Sequence, residues 1–172
     1  MATAVRPMTA REPAVETAPA RRSRTSRLFA TPGDAGATAA RLALGLVMFP
    51  HGAQKLLGWF GGHGFSGTMG YFTEQAGLPW IVAFLVIFGE FFGSLGLIAG
   101  FLGRLSAAGI AAIMAGAIAM VHAPHGFFMN WQGNQAGEGF EYHLLALGLA
   151  AVVLIRGSGA LSVDRWLDTR RT

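Results

Sequence analysis

The chain has 172 residues, of which 52% are hydrophobic and 13% charged, and its mean hydropathy is +0.45. Soluble domains carry about 25% charged residues, so this composition excludes an ordinary water-soluble globule as well as a chain disordered throughout. With no cysteine, disulfide scaffolds, thiolate metal sites and cysteine nucleophiles are excluded too, and the pI near 10.7 comes from arginines spaced as in a membrane protein rather than a nucleic-acid binder.

Residues 1–36 are expected to be a disordered cytoplasmic tail. Arg6, Arg11, Arg21, Arg22, Arg24 and Arg27 lie among Pro, Ala, Thr and Ser, with no apolar period. A cleaved leader fits poorly, because Arg41, His51 and Lys55 interrupt the apolar run, and Glu12 and Glu16 count against a transit peptide. Four apolar stretches follow, at residues 39–59, 78–100, 105–121 and 140–155. A hydrocarbon core of ~30 Å needs ~20 helical residues, with ~17 the usual lower limit. The second and third stretches reach that length. The first and fourth cross only if their polar residues face inward or sit near an end. The fold predicted is all-α: a four-helix transmembrane bundle over residues 37–157, after the basic tail. Residues 158–172 follow as a short interfacial cytoplasmic segment, with Leu161, Val163, Trp166 and Leu167 beside Asp164 and Arg165.

Positive charge gives the orientation. Arginines precede the first stretch, Arg104 sits between the second and third, and Arg156, Arg165, Arg170 and Arg171 follow the fourth. The loops at residues 60–77 and 122–139 hold no Lys or Arg. Both termini are therefore expected in the cytoplasm of a multi-pass plasma-membrane protein, with both long loops outside. Gly61-Gly62-His63-Gly64-Phe65-Ser66-Gly67 lacks the Lys-Ser/Thr of a phosphate loop and reads as a flexible external loop. Trp59, Trp80, Trp131 and Tyr142 lie at the external boundary, as an interfacial aromatic belt does. Gly89, Gly93, Gly96 and Gly100, with Ala108, Ala112 and Gly116, recur every fourth residue or nearly so and predict close helix packing.

A charge in hydrocarbon costs about 2.5–3.5 kcal/mol on insertion scales, so each one needs a partner. Arg41, Leu44, Met48, His51 and Lys55 share one helical stripe, and Glu90 lies midway along the second stretch at the depth of His51. His51, Lys55 and Glu90 are thus expected to meet inside the bundle, as the candidate catalytic cluster. His122, His125, Glu138, Glu141 and His143 join from the external mouth; Arg41, His122, Glu141 and His143 are candidates for holding a cofactor. Three readings stay open. Glu90 and Lys55 form a structural pair with His51 a satisfied core histidine; or the cluster exchanges protons with a quinone head group; or the histidines hold a metal. Against a metal, no His-Glu-x-x-His occurs, and Glu141 and His143 point about 200° apart on a helix. No metal is expected.

Arg41-Leu42-Ala43-Leu44-Gly45 leading into His51-Gly52-x-x-Lys55-Leu56, then Gly89-Glu90-Phe91-Phe92-Gly93 with Gly100 and Arg104, then Glu141-Tyr142, and last Gly157-x-Gly159 with Leu161-Ser162-Val163-Asp164, together resemble the DoxX family of small four-helix membrane proteins. Gly126-Phe127-Phe128-Met129-Asn130 is similar to that family's external loop. The resemblance covers nearly everything except the tail and marks Arg41, His51, Lys55, Glu90, Glu141 and Asp164 as motif positions. It implies kinship with the membrane subunit of thiosulfate:quinone oxidoreductase, hence a subunit of a quinone-linked membrane redox complex. The chain carries no haem, flavin or nicotinamide motif, so its electron donor would be a partner redox protein or a small reductant. The alternative is a non-catalytic membrane anchor or assembly protein for a partner oxidoreductase. A transporter fits less well, since no inverted repeat is visible. The sequence leaves open whether the chain is itself an enzyme and whether it forms homo-oligomers; no nucleic-acid module is present.

The charge alternation is tested by reporter fusions. Fusions after Gly67 and after Gly133 are expected to read as external, and one after Thr172 as cytoplasmic. A cytoplasmic signal at Gly67 would overturn the four-span arrangement.

Overall fold

The computed structural model describes residues 31–170, so most of the Arg-rich tail lies outside the described residues. Among them there are six α-helices and no strand. Helix α1 (Ala35–Leu57) starts where the Asp34 carboxylate accepts from Gly36 N and Ala37 N, and stops at Gly58, which turns left-handed at φ 74°. Helix α2 (Gly64–Gly70) runs into a wide turn at Tyr71–Gln75. Helix α3 (Trp80–Ala99) begins after Pro79 and ends at Gly100, again left-handed at φ 67°. Helix α4 (Gly103–Ala117) continues through a wide turn at Ile118–His122. Helix α5 (Glu141–Arg156) ends at Gly157, and helix α6 (Val163–Thr169) is capped by the Ser162 hydroxyl.

The four long helices follow the apolar stretches to within a few residues and pack in a cycle, α1 on α3, α3 on α4, α4 on α5 and α5 back on α1. Leu44, Met48, Leu97, Ile110, Met114 and Val153 form the main core. Two helical segments, Trp80–Ala99 and Gly103–His125, are long and apolar enough to cross a membrane. Only 28% and 17% of their most apolar windows are buried, so their hydrophobic surface faces outward rather than into a soluble core. Helix α5, at 16 residues, is about 24 Å long, short of a full hydrocarbon core.

Three expectations change. The stretch read as a flexible external loop folds: α2 and its wide turn pack Phe65, Met69 and Phe72 against Ala83, Ile87 and Phe88 of α3. The apolar face at positions 65, 69 and 72 has helical spacing, and the surrounding glycines mask it. Ala108 and Ala112 of α4 are exposed, and a Cβ at Gly116 would meet nothing within 4 Å. The larger residues Ile110 and Met114, with Ala107, make the packed face instead. The tail's expected boundary at residue 36 also moves: Thr31 is buried, its hydroxyl accepts from Ser158 N at 3.0 Å, and α1 is under way by Ala35.

The start of α1, the α3–α4 turn and the C-terminal segment meet at one end of the bundle, around Arg41. Its fully buried guanidinium donates to the carbonyls of Leu97, Ile98, Ser158 and Leu161. The first two belong to the last turn of α3, where Leu97 O also accepts from Gly100 N at 3.2 Å. Buried Asp164 does the complementary work: its carboxylate accepts from Leu102 N at 2.8 Å and Gly103 N at 2.9 Å, where α4 begins, and from the Ser158 hydroxyl at 2.6 Å. Outside this knot Arg156 pairs with Asp34 at 2.7 Å. The Ala37 amide and Arg156 hold the Asp34 carboxyl below its ordinary pKa.

Arg41→Met keeps the bulk of the stem and strands those carbonyls. It is expected to destabilise the detergent-solubilised protein by about 3–5 kcal/mol, the scale for breaking a buried charged contact. Thermal unfolding followed by circular dichroism checks this; an unchanged midpoint would show that the knot does not hold the bundle.

Candidate functional site

A groove of about 1610 Å³ runs between α1, α3, α4 and α5. Most of its walls are apolar or glycine: Leu85, Phe92 and Leu95 from α3, and Gly109, Ala112 and Ile113 from α4. Toward one end Lys55, His51, Glu90, Tyr142, His122, Glu138 and His143 line it, and Ser106 lines it toward the other.

Glu90 sits ten residues into α3, roughly 15 Å from its start, and is buried. Lys55 Nζ lies 2.8 Å from Glu90 Oε2. The contact is an ion pair without hydrogen-bond alignment, and Oε2 has no hydrogen-bond partner among the described residues. Lys55 keeps 26% of its side chain accessible, so the pair is closed on the carboxylate side and open on the ammonium side. Close approach of the backbones makes it: a Cβ on Gly52 would lie 2.6 Å from Phe91 Cα, so only glycine lets α1 press on α3 at this level. Pro50 stands two residues earlier and removes the amide that would bond back to Leu46.

His51 completes this level. It lies in electrostatic range of both Lys55 and Glu90, and 5.9 Å ring to ring from Tyr142. Its side chain is exposed and lines the groove. Tyr142, expected in an aromatic belt, instead points inward and donates its hydroxyl to the Met48 thioether at 3.3 Å. Deeper in α5, His143 is buried against His122, with ring centroids 4.1 Å apart.

The remaining candidates fall elsewhere. Arg41 does not line the groove, and each nitrogen of its guanidinium donates to a carbonyl of the knot. Glu141 accepts from Met129 N at 3.0 Å and Trp131 Nε1 at 2.9 Å, and so fastens the loop between α4 and α5 to the start of α5. Glu141 and His143 thus address different neighbours, as their angular spacing requires. Among the described residues, no three His, Asp or Glu side chains are grouped to hold a metal ion. Sequence reasoning undervalues Tyr142; its one signal is its place between Glu141 and His143 at the first turn of a helix.

A model of the DoxX family matches residues 36–123, just over half of the chain. The chain belongs to the DoxX family. That makes it a membrane protein, in keeping with the outward apolar faces of α3 and α4. No curated protein and no solved structure matches it. The DoxX match contains Arg41, His51, Lys55, Glu90 and His122, while Glu141, Tyr142, His143 and Asp164 lie beyond it in α5 and α6.

A double-mutant pair tests the ion pair. Glu90→Gln is expected to lower stability by about 1–3 kcal/mol, less than the ~3–5 of a fully enclosed pair because Lys55 reaches the open groove. Lys55→Met in the same chain should recover part of the loss. Thermal melts of the single and double variants decide it; additive losses would mean that the two charges do not act on each other.

Proposed function

We propose that this DoxX protein spans the plasma membrane four times, through α1, α3, α4 and α5, with both termini cytoplasmic, and that it serves as a subunit of a quinone-linked membrane redox complex. The Arg-rich residues 1–36 are then a cytoplasmic tail whose last residues dock on the bundle, residues 37–157 the bundle itself and residues 158–172 an interfacial segment. The arginines at the Arg41 end and the absence of Lys and Arg from both long loops support this orientation. In it, His51, Lys55 and Glu90 act on the ligand, with His122 and His143 beside it, and the donor is a partner redox protein.

The observation that carries the reading is a half-open ion pair at mid-depth, facing a groove whose walls are mostly apolar. Ion pairs that only fix register have no need of such a groove. An occupant matching both parts has a small polar head and a long apolar body, and it reaches the site from the bilayer. A membrane quinone has that form. At about 1610 Å³ the groove exceeds the ~300–1,000 Å³ of ordinary ligand pockets, which suits an elongated molecule. Lys55 and Tyr142 can donate to a quinone carbonyl, and Glu90 and His51 can exchange its protons. The anchoring alternative draws on Arg41, Asp164 and Glu141, three motif residues engaged in holding backbone.

Purification in mild detergent, with quinone extraction and mass spectrometry of co-purifying proteins, tests this. Quinone close to one per chain is expected, with most of it lost in Glu90→Gln. A stoichiometric protein partner with no quinone would favour the anchoring function and sink the redox one.

A further inference from the structure

The mouth of the groove holds a row of proton-bearing groups that the ion pair does not use. His122 Nδ1 lies 2.8 Å from the Glu138 carbonyl oxygen. A carbonyl only accepts, so Nδ1 carries the proton, and Nε2 of the neutral ring is left as an acceptor. Behind it, in ring contact, stands His143, only 6% exposed, whose Nδ1 has no hydrogen-bond partner among the described residues. Tyr142 lies 5.4 Å from His143 and 5.9 Å from His51, ring to ring. The acceptor that the structure gives its hydroxyl is a thioether, a weak one. His51 in turn stands in electrostatic range of Lys55 and Glu90. Four elements therefore contribute to one line, from half-exposed His122 to buried Glu90.

We propose that this line is a proton path between water at the groove's mouth and the Lys55–Glu90 pair, with His143 as its carrier. It rests on the groove being the working site, and it adds the side from which that site exchanges protons. Packing alone does not account for His143, since a phenyl ring would fill the same place without stranding a buried nitrogen. Toward the Arg41 end the row of titratable groups stops. Between Arg41 and His51 the inward residues of α1 are Leu44 and Met48, both apolar and buried, and the groups of the Arg41–Asp164 knot are held by backbone. The charged groups around the line are Glu138 and Glu141 at the mouth and Lys55 and Glu90 at the inner end; Glu141 is committed to Met129 and Trp131.

The transfer balances without electrons. A proton from water at the mouth reaches one nitrogen of the His143 imidazole, and the proton on its other nitrogen leaves inward, so the ring ends neutral. The Glu90 carboxylate becomes a carboxylic acid, and Lys55 remains an ammonium. The mouth loses one proton and the buried pair gains one.

The test uses the full chain in oriented liposomes, with the Glu90 carboxyl band followed by infrared difference spectroscopy and assigned by its loss in Glu90→Gln. After a pH step on the side of the long loops, His143→Phe is expected to slow protonation of Glu90 by at least about tenfold, the low end of what a positioned proton carrier contributes. The helical content should stay as it was, and His143→Gly with imidazole in the buffer should recover the rate. An unchanged rate in His143→Phe would overturn the path, as would equally fast protonation from the Arg-rich side or a Glu90 that never titrates while the protein stays folded. Quinone content of the same preparations separates the two ideas. Retained quinone with an unchanged rate defeats the path alone; absent quinone with a slowed rate defeats the quinone reading alone.

Discussion

A guanidinium inside an apolar bundle is stable only if each of its nitrogens finds an acceptor. Arg41 meets that condition with carbonyls from the end of α3 and from the segment between α5 and α6, and so joins three parts of the chain that are far apart in sequence. Asp164 closes the same region from the other direction by taking the first amides of α4. Both side chains serve helix ends, where backbone groups run out of partners in the helix. The packing of the four long helices, and hence the level at which Lys55 faces Glu90, follows from how this end is tied.

The site then depends on a second close approach, at Gly52. With no side chain there, the α1 backbone lies against Glu90 and Phe91, and the lysine one turn on comes within contact distance of the carboxylate. The register is determined at the knot, and the separation at Gly52. Neither position touches the groove's contents, yet each governs whether the charged pair exists.

Much of this is legible in the chain. Helix α3 stands out because one charge interrupts a long apolar run, and the cost of that charge by itself calls for a basic partner on α1. The helical stripe through Arg41, Met48 and Lys55 holds as well. Periodicity groups Arg41 with the groove because it gives a side chain's angle around a helix but not which end of the bundle its donors serve. Helix α2 escapes a sequence reading because glycine suppresses a local signal that tertiary packing restores. The small residues of α4 mislead for a related reason: spacing marks a face that can be approached closely, not one that is. Tyr142 can be placed at a boundary by its sequence position, but which way its ring points depends on α1.

The knot also has a mechanical consequence. A bundle fastened by buried charges at one end behaves like a pair of tweezers held at the hinge. Bilayer thickness, lateral pressure or the docking of a neighbour can spread the arms more easily than the joint. Since the polar end of the groove lies toward the arms, its width becomes the quantity through which the surrounding membrane acts on this protein.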